Sequence, residues 1–171
     1  MALELVNKTT ATSVSSLDVE NVFTADYDIY FVNVQTDMDA AGYFEIRLLQ
    51  TDDTLANESK YDVMSFDLKS DAASSDYRFQ DQNGGVGWRG IGGYLDDGDG
   101  YGFTGYIINP YASKYTFGLA QSASNNNAVL NGNKFIGVYK STQSIRGMRV
   151  TNSSGTSMNY INVTTYGVKK D

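Results

Sequence analysis

The stretch Gly42-Tyr-Phe-Glu-Ile-Arg-Leu-Leu-Gln50 carries the clearest signal for the fold of this chain. Within it Phe44, Ile46 and Leu48 alternate with a glutamate and an arginine. Successive side chains of a β-strand point to opposite sides of the sheet, so this alternation predicts a strand with one buried side and one polar side. The chain is therefore expected to contain half-buried β-structure.

The preceding stretch, residues 27–35, is apolar on both of its faces at the centre. That pattern is typical of a strand covered by a second sheet or by another subunit. Seven more segments have strand character: 61–68, 86–95, 102–109, 115–121, 134–140, 145–151 and 160–168. The sequence thus predicts about nine strands, and only residues 52–60 suggest a short helix.

The composition also favours sheet over helix. There are 13 Tyr, 8 Phe and 17 Gly but a single Pro, and turn residues gather between the strand segments. We therefore predict an all-β fold, an antiparallel β-sandwich of jelly-roll type. Residues 1–20, which include a Ser/Thr-rich run, are expected to be an extended N-terminal arm, and residues 21–171 a single domain.

The formal net charge of −7 and the pI near 4.5 argue against nucleic acid as a partner, because phosphate binding needs clustered lysine and arginine. The N-terminus does not resemble a secretory signal, and no run of about 18 apolar residues predicts a membrane span. With no cysteine, neither disulfides nor thiolate-bound metals are expected.

The chain also has no histidine. The commonest general base, the commonest transition-metal ligand and the thiol nucleophile are therefore all missing. A pair of carboxylates could still cleave a glycosidic bond, or a serine and a lysine could act together, but most of the acids are aspartates in turn-like segments. We expect a non-enzymatic protein with no catalytic residues and no cofactor.

The run Asp96-Asp-Gly-Asp-Gly100 is the one candidate metal site. Closely spaced carboxylates can hold calcium, which makes Asp97 and Asp99 candidate ligands, but the later glutamate of an EF-hand is missing. A hairpin turn explains the same residues, since Asp and Gly tolerate positive φ. We favour the turn.

Three aromatic residues are candidates for an interaction site: Trp88, Tyr101 and Tyr106. The single tryptophan stands between Gly87 and Arg89 and could stack on a sugar ring or pair with a cation. In an all-β domain of this size a tryptophan also serves in the core or at an interface, and we favour that role. Both interpretations remain open at this point.

Three stretches carry a resemblance to known proteins: Asn21-Val-Phe-Thr-Ala-Asp-Tyr-Asp-Ile-Tyr30, Ile145-Arg-Gly-Met-Arg-Val150 and Ile161-Asn-Val-Thr-Thr-Tyr-Gly-Val168. In order and spacing they resemble the first long strand, the penultimate strand and the closing strand of a loosely defined group of bacteriophage virion proteins with tail, fibre and capsid-decoration roles. The resemblance does not extend to residues 71–100. It implies a jelly roll or related sandwich that is displayed on a particle and is usually oligomeric.

The leading hypothesis is a virion structural protein, specifically a capsid-surface decoration or cement protein that is assembled in the host cytoplasm. Its expected partners are further copies of itself, as a trimer or another closed assembly, and virion proteins such as the major capsid protein. The alternative is a host-binding module of a tail fibre that grips carbohydrate through Trp88 and nearby tyrosines. A glycoside-cleaving enzyme is the third hypothesis.

Overall fold

A computed structural model describes residues 2–38, 42–56, 59–70, 78–95, 101–126 and 129–169. These residues form twelve β-strands and no helix. The strands are β1 (Leu3–Val14), β2 (Ser16–Val19), β3 (Ile29–Met38), β4 (Gly42–Gln50), β5 (Tyr61–Lys69), β6 (Arg78–Gly85), β7 (Trp88–Leu95), β8 (Tyr101–Ile108), β9 (Thr116–Asn126), β10 (Val129–Tyr139), β11 (Ile145–Asn152) and β12 (Met158–Val168).

The strands lie in two antiparallel sheets that pack as a sandwich. The larger sheet has eight strands in the order β1-β12-β3-β8-β9-β10-β5-β6, and the smaller has four in the order β2-β11-β4-β7. The strand pairing is nested, because the first strand pairs with the last and later strands pair inside it. β1 pairs with β12, β2 with β11, β3 with β8 and β4 with β7. A long antiparallel ribbon rolled onto itself gives this nesting, which is the jelly-roll topology.

Two pairs of strands are added to this roll. β5 and β6 lie between β4 and β7 in the chain, and β9 and β10 lie between β8 and β11. All four extend the larger sheet beyond β8. The larger sheet is therefore about twice as wide as the smaller one, and part of its width is contributed by strands outside the jelly roll.

The prediction of an all-β sandwich is confirmed. Each of the strand segments predicted from the sequence corresponds to an observed strand, and Gly42–Gln50 has the predicted bounds. The structure adds β1, β2 and β6. The suggested helix at residues 52–60 is wrong for the residues described there, because Asp52 instead closes a turn in which its Oδ1 accepts from the Thr54 amide at 3.1 Å.

Residues 1–20, expected to be a separate arm, contribute strands to both sheets. β1 pairs with β12 from Leu3 opposite Val168 to Val14 opposite Met158, and β2 pairs with β11. Val6, Ala11 and Val14 pack against the core. The physical reason is that threonine and valine suit an edge strand as well as they suit a flexible arm, so the Ser/Thr-rich composition did not distinguish the two.

The core lies between the two sheets. Phe44 of the smaller sheet meets Phe103 of the larger sheet edge to face, with ring centroids 5.6 Å apart. Tyr30 and Val32 from β3 and Ile46 from β4 are fully buried in the same layer. No helix among the described residues is long and apolar enough to cross a membrane.

Candidate interaction surface

Trp88 is not on the surface. It lies in β7 of the smaller sheet, is 0% exposed, and meets the ring of Tyr61 at a right angle with centroids 6.0 Å apart. Gly118 and Gly137 stand directly opposite each other in β9 and β10, and a Cβ on either one would come within about 3.0 Å of the indole. The missing side chains make the space for the tryptophan, so its use as a sugar platform is excluded and its core role is the correct interpretation.

The two candidate tyrosines both belong to β8. The backbone of Tyr101 pairs with Thr36 and Ser124. Tyr106 projects from the outer face of the larger sheet, and its side chain is 41% exposed. The side chain of Tyr101 lies outside what the structure describes. Tyr106, unlike the buried Trp88, therefore lies on an accessible surface.

The candidate calcium ligands Asp97 and Asp99 lie outside the described residues. Among the residues that are described, no group of three or more acidic side chains is placed so that it could hold a metal ion.

The outer face of the larger sheet, the side turned away from the core, presents a line of apolar side chains. Directly opposed residues on seven neighbouring strands form it, and we call it the apolar row: Leu5, Tyr166, Phe31, Tyr106, Leu119, Ile136 and Met64. Opposed residues in antiparallel strands share a face, so these side chains are neighbours. The row runs across the sheet from β1 to β5.

The apolar row has two parts of different chemistry. Its aromatic half is Tyr166, Phe31 and Tyr106, in which the Phe31 ring centroid lies 5.4 Å from that of Tyr106 and 6.1 Å from that of Tyr166. Its aliphatic half is Leu119, Ile136 and Met64, which are 40%, 49% and 55% exposed. The aliphatic half lies on β9, β10 and β5, the strands added to the jelly roll.

A second line of opposed residues runs beside the first on the same face. We call it the polar row, and it contains Lys8, Thr164, Asn33, Thr104, Gln121 and Lys134. The next opposed positions include Asn162, Gln35, Gly102 and Ala123. Residues two apart along a strand are about 7 Å apart, so the apolar and polar rows lie within reach of one small ligand.

Two depressions lie on this face, each on one side of Thr104 and Gln121. One of about 440 Å³ is lined by polar and small residues that include Asn33, Gln35 and Gly102. The other, of about 510 Å³, is lined by Phe31 and Tyr106 and extends to Ile136. Both share Thr104 and Gln121, so they adjoin at these two residues, and we call the two depressions together the groove; it covers parts of β3, β8, β9 and β10.

Residues 27–35 were predicted to be covered on both faces, but this chain covers only one of them. Tyr30, Val32 and Val34 are buried between the sheets. Phe31 on the opposite side is partly exposed and lies in the apolar row. The second apolar face of this strand is thus part of an accessible surface.

The outer face of the smaller sheet has a different character. Arg149 donates two hydrogen bonds of 2.6 Å to the carboxylate of Asp18, which raises the pKa of the guanidinium. Arg47 pairs with Glu45, and the Arg89 guanidinium lies 5.0 Å from the ring centroid of Tyr43. This face satisfies its own charges, whereas the apolar row of the larger sheet has aliphatic side chains open to solvent.

The sequence contained a signal for the aliphatic half that strand periodicity alone did not give. Glycine alternates with apolar residues at Phe117-Gly118-Leu119 and at Ile136-Gly137. Because Trp88 fills the space over the two glycines, the glycine positions face the core and the apolar positions must face outward. A glycine on the buried side of a strand therefore marks its apolar neighbours as surface residues.

Comparisons with known proteins add little to this geometry. The chain matches no protein-family model, and it matches no curated protein. Among solved structures, the catalytic domain of PdAgaC aligns at 11% sequence identity over 97% of this chain and 76% of that chain, with a TM-score of 0.18. A TM-score this low carries no argument about fold or function.

Proposed function

We propose that this protein is a non-enzymatic structural component of a bacteriophage virion, and specifically that it decorates the capsid surface. The observation that carries the proposal is the aliphatic half of the apolar row, an exposed hydrophobic strip on the wide sheet of an acidic jelly roll. The resemblance of residues 21–30, 145–150 and 161–168 to phage virion proteins supports the same conclusion. The protein would be assembled in the host cytoplasm and displayed on the particle surface.

Exposed aliphatic side chains in a continuous strip support binding to protein. Fully burying a leucine, isoleucine or methionine contributes about 1.5–3 kcal/mol. Leu119, Ile136 and Met64 are each about half exposed, so covering all three would contribute roughly 3 kcal/mol per copy. That amount is modest for one contact, but it is sufficient on a lattice where neighbouring copies hold one another in place.

The added strands support the proposal because they create this surface. β9, β10 and β5 extend the larger sheet beyond the jelly roll, and their outward positions also include Phe117, Leu68 and Leu130, all at least 40% exposed. A broad apolar sheet face usually marks an interaction site. We also propose that the copies form a closed symmetric assembly, preferably a trimer, because closed symmetry does not produce filaments.

The non-enzymatic part of the proposal rests on chemistry. The chain contains neither histidine nor cysteine. Of the acids in the described part of the chain, Asp18, Asp53 and Asp62 each form an ion pair with a basic side chain. Carboxylates engaged with a basic side chain are poorly placed to act as the facing acid and base that cleave a glycosidic bond.

The test is co-sedimentation of the purified protein with empty capsids. The double variant Met64→Ser/Ile136→Ser should bind at least about tenfold more weakly, because two half-exposed apolar contacts are lost. Leu3→Ser is the matched control, since Leu3 is 51% exposed but lies outside the apolar row. Failure of the wild type to bind, or equal loss with Leu3→Ser, would contradict the proposal.

A further inference from the structure

We infer that the aromatic half of the apolar row, together with the polar row beside it, forms a binding groove for a neutral oligosaccharide. This inference concerns a second ligand and does not depend on capsid binding. The groove is centred on β3, β8 and β9 and reaches β10 at Lys134 and Ile136, where it adjoins the strip assigned to protein contact over β9, β10 and β5. It replaces Trp88 as the place on this molecule where a sugar would bind.

The aromatic side of the groove supplies a stacking surface. Tyr106 is 41% exposed, and its ring is held in an edge-to-face contact by Phe31, with an interplanar angle of 60°. Phe31 is in turn packed against Tyr166. Contact with Phe31 restricts the Tyr106 ring, so the ring loses less side-chain entropy when a pyranose packs against it and more of the contact contributes to binding.

The polar side supplies hydrogen-bonding groups that are not already used. In the described part of the chain the side-chain amides of Asn33, Gln35 and Gln121 form no hydrogen bonds with other protein groups. Each amide offers two donors and one acceptor oxygen. Such groups match sugar hydroxyls, which both donate and accept, better than they match aliphatic protein side chains.

The floor and the charge of the groove select the class of ligand. Gly102 and Ala123 keep the floor low between the longer side chains of neighbouring positions. Lys134 is the one charged residue among the described residues that line the two depressions. Polyanions need several cations for binding, so an uncharged, hydroxyl-rich chain suits this lining best.

The experiment measures retention of the whole protein on an immobilised array of neutral α- and β-linked hexose oligosaccharides. The oligosaccharide that retains the most protein is then titrated into the protein in solution. Tyr106→Ala should weaken binding at least about tenfold, and Tyr106→Phe should retain it because the stacking ring is kept. Gln121→Ala should weaken binding about fivefold through the loss of one or two hydrogen bonds. Tyr115→Ala is the control, since Tyr115 is 47% exposed and lines neither depression.

The outcomes separate clearly. Retention that is lost with Tyr106→Ala but kept with Tyr115→Ala and Tyr106→Phe supports the groove. No retention on the array, or retention that the Tyr106 and Gln121 variants leave unchanged, overturns it. Because Met64 lines neither depression, Met64→Ser is expected to weaken capsid binding and not glycan binding, so failure here is distinguishable from failure of the proposed function.

Discussion

Replacing Trp88 by alanine should destabilise this protein more than any change on its surface. The indole is fully buried and contacts Tyr61 and Phe135, with ring centroids 6.0 and 6.3 Å away. The two facing glycines beneath it cannot move side chains into the vacated space, because they have none. Truncations of this kind cost about 3–5 kcal/mol, and the unrelieved cavity places Trp88→Ala toward the upper part of that range.

The loss should come from packing and not from hydrogen bonding. The indole nitrogen has no hydrogen-bond partner within the described part of the chain. A domain of this size has a total stability of about 5–15 kcal/mol, so the substitution should remove a large part of it. The melting temperature should fall by roughly 6–20 °C.

Urea unfolding followed by circular dichroism measures the effect, with Tyr115→Ala as the control. The control should change the free energy of unfolding by less than about 0.5 kcal/mol, because its side chain is on the surface. In the wild type the single tryptophan should also emit at short wavelength and shift to longer wavelength on unfolding. A loss below about 1 kcal/mol for Trp88→Ala, at an unchanged dependence on urea, would refute the packing argument.

Two further predictions concern the edges of the sheets. Asp62 accepts hydrogen bonds from Lys140 Nζ at 2.8 Å and from the Gly84 amide at 3.0 Å, which lower the pKa of Asp62 in the folded state. Its contribution to stability is therefore present above the unfolded pKa and is lost as the pH falls from about 5 toward 2. Asp62→Asn should flatten the fall in melting temperature over that pH range, and an unchanged slope would contradict the assignment. Deleting residues 2–14 should lower the free energy of unfolding by at least about 2 kcal/mol in urea titration, because β1 pairs along β12 and partly buries Val6, Ala11 and Val14 against the core. An unchanged midpoint would show that β1 is a dispensable arm.

Local sequence patterns were enough to locate most of the strands. β4 shows this best, since Phe44, Ile46 and Leu48 alternate with charged residues and are all buried. β6 was missed because Arg78–Gly85 is almost entirely polar, with one phenylalanine, and becomes a strand by pairing with β5. Strand propensity depends on such tertiary neighbours. The nested order of the jelly roll depends on contacts distant in sequence and could be expected only as a class.

The site was harder to predict than the fold. An isolated tryptophan beside glycine is compatible with a sugar platform and with a core position. Gly118 and Gly137 decide between them, but they lie on different strands and come together only through the pairing of β9 with β10. The apolar row could not be identified in the sequence for the same reason. Tyr106, Leu119 and Ile136 are separated in sequence and become neighbours only through the pairing of β8, β9 and β10.

The most direct test of the proposed capsid role is the structure of the assembled particle by electron cryomicroscopy, with the copy number of this chain counted in the same map. We expect many copies at symmetric positions on the capsid exterior, with Leu119, Ile136 and Met64 buried against a neighbouring protein. Absence of the protein from the capsid would contradict this role. So would attachment through the ionic face of Arg149 and Asp18, with the apolar row left exposed to solvent.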